Sequence, residues 1–137
     1  MATGQDFLNI QLLCVQRTQY ELTLAVDAAA SHALKTNIRE LQSALDQLES
    51  QLLILCVQRG WDIPELNPIR KLLIKCGFRS RNDADIAEKT IQRYIDATVQ
   101  MVRVYNSWKP DDKSIQNLFQ KVTDYCTVGI RRMLPFL

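Results

Sequence analysis

Histidine, glycine and proline are scarce in this sequence, with one, four and four copies among 137 residues. Histidine is the usual general base of Ser-His-Asp and Cys-His sites, so the single His32 leaves those enzyme classes without a credible arrangement. A glycine-rich phosphate-binding loop is also missing. Because glycine and proline interrupt helices, their scarcity leaves long stretches in which apolar residues recur at helical spacing. These absences lead us to expect an all-helical protein that is not an enzyme.

Neither charge nor hydrophobicity is concentrated in one long block. Lys and Arg number 17 against 15 Asp and Glu, without the like-charged block that binding to phosphates requires, so we expect no nucleic-acid partner. The longest apolar run, residues 52–57, is too short to cross a bilayer, and the N-terminus lacks the features of a signal peptide. We therefore expect no membrane span and a cytoplasmic location. The densest basic stretch is interpreted as the solvated face of a short helix and a loop: Arg70, Lys71, Lys75, Arg79 and Arg81.

The four cysteines are widely spaced and include no Cys-x-x-Cys pair. Structural zinc sites use paired Cys or His ligands, so no zinc site is expected. In a reducing compartment such cysteines are most simply small, buried, apolar residues: Cys14, Cys56, Cys76 and Cys126.

Five helices account for the spacing of the apolar residues. The sequence predicts them at 5–30, 32–59, 68–76, 83–107 and 112–134, within one domain that spans 1–137. Short turns join the first two and the last two long helices, so each pair forms an antiparallel hairpin. Asn67 and Pro68 open the short helix, which lies in a crossover that we expect to carry the chain across the end of the bundle. The expected fold is all-α: a ferritin-like four-helix bundle of two antiparallel hairpins joined by a crossover containing a short helix.

Each long helix carries one apolar stripe that would face the core. In the helix at 5–30 the stripe is Leu8, Leu12, Val15, Leu22, Val26 and Ala29, with Gln19 as its polar position. In the helix at 32–59, which Ser31 would cap and Gly60 would end, it is Leu34, Ile38, Leu41, Leu45, Leu48, Leu52 and Leu55. In the helix at 83–107 it is Ile91, Ile95, Thr98, Val102 and Tyr105. In the helix at 112–134 it is Ile115, Leu118, Val122, Tyr125 and Gly129.

A bundle of this layout raises the question of a di-iron or di-manganese site. Such sites need inward-facing glutamates on the four helices and Glu-x-x-His pairs on two of them. No acidic residue is followed three positions later by histidine, and His32 lies at a turn. We therefore expect no metal and no other cofactor, with a carboxylate-only ligand set left open as an alternative.

The predicted hairpin at 21–61 has a recognisable set of sequence features. It contains Glu21-Leu22 before an alanine-rich helix end, a turn at 31–34, a leucine repeat at 41–55 and a closing Gln-Arg-Gly-Trp at 58–61. In these features it resembles the coat F family of spore-forming bacteria. The resemblance implies a ferritin-like, non-enzymatic bundle without metal ligands. It also implies assembly with itself or with other coat-layer proteins in the mother-cell cytoplasm or the spore coat.

Three functions stay open at this point. The first is a non-enzymatic structural or interaction protein related to coat F, with an apolar C-terminal tail as candidate contact surface: Met133, Leu134, Phe136 and Leu137. The second is a small-molecule- or lipid-binding bundle with a pocket near Cys56 and Tyr125. The third is an atypical metal-binding ferritin-like protein.

Overall fold

The computed structural model describes residues 3–78, 82–109 and 111–137. Within these ranges the chain forms helices and connections without a strand. The helices are α1 (Gly4–Ala28), α2 (His32–Arg59), α3 (Pro68–Gly77), α4 (Asp83–Trp108) and α5 (Lys113–Met133), and a 3-10 turn follows at Leu134–Phe136. The all-α class that the sequence predicts is confirmed.

Polar side chains cap the helices at their N-termini. Thr3 accepts a hydrogen bond from the Asp6 N–H, and the Asp6 carboxylate accepts one from the Thr3 N–H, which makes a capping box. Ser31 caps α2 as the sequence predicts, and Gly60 ends it with φ at 68°, in the left-handed region that glycine adopts without a side-chain clash. The remaining caps are Asn67 for α3, Asn82 for α4 and Asp112 for α5.

α1 and α2 form an antiparallel hairpin across a short turn. Gln19 faces α2, where its side-chain amide donates to the carbonyl oxygen of Gln42, 3.2 Å away, and to the carboxylate of Asp46. The polar position in the predicted α1 stripe is therefore a contact between the two helices.

α4 runs antiparallel to α1. Its first residue, Asp83, accepts hydrogen bonds from the N–H groups of Ala30 and Ser31 at 2.8 and 2.9 Å, beside the C-terminal end of α1. Near the other end, the Phe7 ring of α1 packs edge-on to the Tyr105 ring of α4, with centroids 5.9 Å apart. α4 therefore starts where α1 ends.

α5 runs antiparallel to α2, and salt bridges join the two helices near both ends. Arg59 pairs with Asp112 at 2.5 Å, and Arg132 pairs with Glu40. Because α1 opposes both α2 and α4, the four long helices run up, down, down and up in chain order.

The connection between α2 and α4 runs along the helices, so the expectation that it crosses the end of the bundle is wrong. α2 ends at Arg59, beside Asp112, whereas α4 begins at Asp83, beside the α1–α2 turn at the opposite end. A helix as long as α1 spans about 37 Å, and the connection must cover a similar distance. α3 lies in this connection and packs against α1.

The core confirms the stripes predicted for α2 and α5, apart from Leu48, which is half-buried. The stripe predicted for α4 is wrong by about one residue. The side chains of α4 that are buried are Ile86, Ala87, Thr90, Tyr94, Ala97 and Met101. Ile95 and Val102, two of the predicted core residues, are 40% and 39% exposed.

The physical reason for this rotation is the bulk of Tyr94. Its ring lies directly against Gly129 of α5, where a Cβ atom would come within 2.5 Å of it. Only glycine leaves space for the ring at that point, and the adjacent stripe of α4 turns outward as a result.

Three of the four cysteines are buried, as the sequence predicts, but Cys76 is exposed on α3. The prediction failed there because no residue of α3 is fully buried. A short helix on the outside of the long helices offers no interior for a thiol.

Candidate functional site

A groove of about 540 Å³ lies between α1, α3 and α4. This volume falls in the range of ordinary small-molecule sites. Its apolar lining comprises Leu22, Leu73, Ile74, Phe78 and Tyr94. Its charged lining comprises Arg17, Glu21, Arg70, Lys89, Arg93 and Asp96. With four cations against two carboxylates, these walls carry a positive excess.

Gln16 holds the connection that leads into α3 against α1. Its side-chain amide donates to the Pro64 carbonyl oxygen at 2.7 Å, and its amide oxygen accepts from the Leu66 N–H at 2.8 Å. Both ends of one side chain are thus used to fix the backbone just before α3. This clamp sets the spacing between α3 and α1, and with it one wall of the groove.

Glu21 lies between two guanidinium groups. Its carboxylate oxygens are 3.3 Å from Arg17 Nε and 3.7 Å from Arg93 Nε. Burial raises the pKa of Glu21, and this effect outweighs the lowering by Arg93 and Arg17. One carboxylate faces two guanidinium groups here, so it can balance only one of their two positive charges.

Arg93 is the most deeply placed cation of the groove, with 10% of its side chain exposed. Its Nε makes no hydrogen bond among the described residues and has the Glu21 carboxylate only at 3.7 Å, and a buried donor without a hydrogen bond is costly. Reasoning from sequence missed this residue because the stripe predicted for α4 was rotated. Arg93 lies three residues after Thr90 and four before Ala97, so it shares a helix face with two buried positions. A prediction with the correct register of α4 would have placed Arg93 beside the core.

Below the groove, Tyr94 and Tyr125 form a buried polar pair. Their hydroxyl oxygens are 2.7 Å apart, and the Tyr125 hydroxyl also donates to the carbonyl oxygen of Leu41 at 3.0 Å. Burial raises the pKa of both phenols. Both stay neutral at physiological pH, so the pair fixes the packing of α2, α4 and α5 instead of supplying a base.

The structure does not bring Cys56 and Tyr125 into the pocket that the sequence predicts for them. The Tyr125 hydroxyl reaches Leu41 of α2, and Cys56 lies fifteen residues further along that helix, a distance of about 22 Å. Both side chains are buried in the core. The groove lies instead on the other side of Tyr94.

The C-terminal tail is divided between core and surface. Met133 is fully buried and Phe136 packs partly against the core, whereas Leu134 and Leu137 are 51% and 62% exposed. Met133 therefore cannot serve in the contact surface predicted for it, because the end of α5 already buries it. Only two residues of the predicted surface face outward.

The exposed apolar side chains of the described residues include a stripe on α4 and a stripe on α3. The α4 stripe consists of Ile95, Val99 and Val102, which are 40%, 44% and 39% exposed. The α3 stripe consists of Ile69, Leu72 and Leu73, which are 69%, 59% and 67% exposed. Contiguous exposed apolar patches of this kind mark interaction surfaces more often than isolated exposed residues do.

In the described part of the chain, no three His, Cys, Asp or Glu side chains come together as a metal site would require. His32, the single histidine, is exposed at the start of α2. None of the described helices combines the length and the apolar character needed to cross a bilayer.

Comparison with known proteins gives no relative from which a function could be transferred. No family model matches the chain, and no curated protein or solved structure is significantly similar to it.

Proposed function

We propose that the protein is a non-enzymatic interaction protein that assembles with a second copy of itself through the α4 stripe. The observation that carries this proposal is the second apolar face of α4. One face of this helix packs Tyr94 and Met101 into the core, while Ile95, Val99 and Val102 point outward along the same length.

Charge around the α4 stripe is self-complementary. Asp96 and Arg103 are both exposed, and they lie at equal distances from a midpoint between Val99 and Gln100. In an isologous dimer a two-fold axis relates the same surface on both copies. If that axis passes this midpoint and the helices run antiparallel, each Asp96 faces Arg103 of the other copy. Two ion pairs would then flank the buried apolar seam and favour this register over others.

The surrounding fold supports the same proposal. The four long helices run up, down, down and up, and one long connection joins the two hairpins. Ferritin-like four-helix bundles have this arrangement, and we propose that architecture for this chain. The coat F resemblance of residues 21–61 suggests the setting. In a spore-forming bacterium, the dimer would be a unit of a protein layer that forms with coat proteins in the mother cell.

Sedimentation equilibrium with a charge-swap series tests the dimer. We expect the native chain to sediment at twice its own mass. Asp96→Arg alone and Arg103→Asp alone place like charges opposite each other and should each raise the dissociation constant at least about tenfold. The double variant restores opposite charges and should recover native affinity. A native chain that stays monomeric, or a double variant no better than either single one, would contradict the proposal.

A second function, the binding of a small amphipathic anion in the groove, is favoured by Arg93. Its nearly buried side chain, whose Nε makes no hydrogen bond among the described residues and has the Glu21 carboxylate at 3.7 Å, lies in a groove whose lining cations outnumber carboxylates by four to two. Apolar side chains from α1, α3 and α4 lie beside these charges. A single-chain carboxylate such as decanoate has the matching chemistry, with an anionic head and an aliphatic body.

Calorimetric titration below the micelle concentration tests this second function. We expect one decanoate per chain, and we expect decyltrimethylammonium, which has the same chain and the opposite charge, not to bind. Arg93→Gln should weaken decanoate binding about tenfold or more, whereas Arg39→Gln on the exposed face of α2 should leave it unchanged. Equal binding of both amphiphiles, or full binding by the Arg93 variant, would refute a built anion site.

A further inference from the structure

α3 leaves most of its apolar side exposed. Ile69, Leu72 and Leu73 follow one another at steps of three and one, which places them on one side of a helix. Each of them is more than half exposed. Ile74 is half-buried and lines the groove, and Leu73, at the edge of the apolar side, borders the groove as well. The outward side of α3 is therefore an apolar surface that no described element covers.

The charged residues of α3 itself all have the same sign. Arg70, Lys71 and Lys75 are all exposed, and the sequence contains no acidic residue between Glu65 and Asp83. Two further basic residues, Arg79 and Arg81, follow in the sequence outside the described residues. Two α3 helices from two copies would repel each other, so a second copy is a poor partner for this surface and a negatively charged partner suits it. In this respect the α3 stripe differs from the α4 stripe.

α3 is also held in its helical form before it meets a partner. Gln16 fixes the backbone just before it, and Phe78 at its end packs against the core and lies 5.6 Å from the Lys89 ammonium. Asn67 and Pro68 cap its first turn. A helix that is already formed does not pay the ordering cost that a disordered segment pays on binding.

We propose that α3 docks the protein on an anionic phospholipid surface. A helix with aliphatic side chains on one side and Lys or Arg around them lies in the plane of a membrane interface, with its apolar side among the upper acyl carbons. Arg70, which also borders the groove, and Lys75 flank the stripe, from where they would reach lipid phosphates. The convex, purely aliphatic stripe suits a fluid bilayer, which deforms around it, better than a protein, which must present a matching groove.

Each basic residue near an anionic bilayer strengthens partitioning by roughly fivefold. Binding should therefore depend on lipid charge and weaken as salt rises, because the Debye length falls from about 10 Å at 0.1 M to about 3 Å at 1 M. Neutralising Arg70 and Lys75 together should lower the partition coefficient about 25-fold. Leu72→Asp should abolish it, because a carboxylate would enter the apolar layer and repel the anionic lipid.

Vesicle flotation of the full chain tests this inference. The probe vesicles are pure phosphatidylcholine or phosphatidylcholine with about a third phosphatidylglycerol, a typical anionic surface. We expect flotation with the anionic vesicles only, and we expect its loss with Leu72→Asp or with Arg70→Gln/Lys75→Gln. Val128→Asp, at a valine of α5 that is 46% exposed, is the matched control and should float like the native chain. Leu72 is 59% exposed, so its substitution leaves the core intact.

The remaining outcomes overturn the inference. Equal flotation with neutral vesicles would show an apolar contact without charge selection, and no flotation would exclude a lipid partner. Flotation that survives Leu72→Asp would assign binding to another surface. Binding to soluble polyglutamate in place of anionic vesicles would identify an acidic protein as the partner.

Discussion

Gln11 is a polar side chain in the core that has no hydrogen-bond partner among the described residues. It is fully buried in α1, and within the described structure neither its amide nitrogen nor its amide oxygen is hydrogen-bonded. An unsatisfied buried amide costs about 1–3 kcal/mol. Gln11→Leu should therefore raise the free energy of unfolding by about that amount, as measured by urea denaturation.

Gln16 supplies the matched control for that experiment, because both ends of its amide are hydrogen-bonded to the connection before α3. Gln16→Leu should lower the free energy of unfolding by about 1–3 kcal/mol, since it leaves backbone groups unpaired. If both variants shift stability in the same direction, hydrogen bonding does not distinguish the two positions.

Gly129 is required by the close approach of Tyr94. A Cβ atom at this position would lie 2.5 Å from the Tyr94 ring. Gly129→Ala should lower the free energy of unfolding by about 1–3 kcal/mol through overpacking. This loss is larger than the stabilisation that alanine's higher helix propensity provides. Gly77→Ala, at a glycine whose Cβ would meet nothing within 4 Å, should be neutral or slightly stabilising. Thermal unfolding of both variants checks this, and equal melting temperatures would contradict it.

The contact between Asp83 and the α1–α2 turn links the two hairpins at one end. The N–H groups of Ala30 and Ser31 donate to its carboxylate and hold the pKa of Asp83 below its ordinary value of 3.8. A depressed pKa adds stability above the pKa of the unfolded state, and that stability is lost as the pH falls through the folded-state pKa.

Asp83→Asn should therefore lower the free energy of unfolding most above about pH 4, and its deficit relative to the native chain should shrink as the pH falls further below that value. Denaturation curves over this range provide the measurement. Asp62→Asn, at an exposed carboxylate in the connection, is the control and should show no such trend. A constant deficit of the Asp83 variant at every pH would mean that its charge is not involved.

Elements were predictable from sequence where local chemistry determines them. The Ser31 cap, the Gly60 ending and the stripes of α2 and α5 follow from rules that act within a few residues. The register of α4 was not predictable, because two adjacent apolar stripes compete on that helix. The choice between them depends on how Tyr94 fits against Gly129, a residue of another helix, and no periodicity records that contact.

The groove could not be predicted because it depends on the path of the connection. The sequence predicts a short helix between the two hairpins. It does not predict the direction of the crossover, because that direction depends on where α2 ends and α4 begins in the fold. Once α3 lies along α1, Arg70 and Ile74 join residues of α1 and α4 that are far away in the chain. The predicted pocket failed for a related reason, since Cys56 and Tyr125 lie at different levels of the core.

At the scale of the whole molecule, two exposed stripes differ in the charges around them. The α4 stripe has Asp96 and Arg103 beside it and suits a second copy. The charged residues of α3 itself are all cations, which suits an anionic surface. Because the stripes lie on different helices, dimerisation and docking should be separable by substitution, and Leu72→Asp should leave the sedimentation mass unchanged.

Disulfide trapping tests the proposed dimer most directly. In a Cys76→Ser background, which removes the one exposed thiol of the described residues, Val99→Cys places a thiol beside the proposed two-fold axis. A disulfide forms only where Cα atoms come within about 7 Å. We predict a covalent dimer on mild oxidation of Val99→Cys and none with Val128→Cys, on the exposed side of α5. A Val99→Cys chain that stays monomeric, or a Val128→Cys chain that cross-links equally well, would contradict assembly through the α4 stripe.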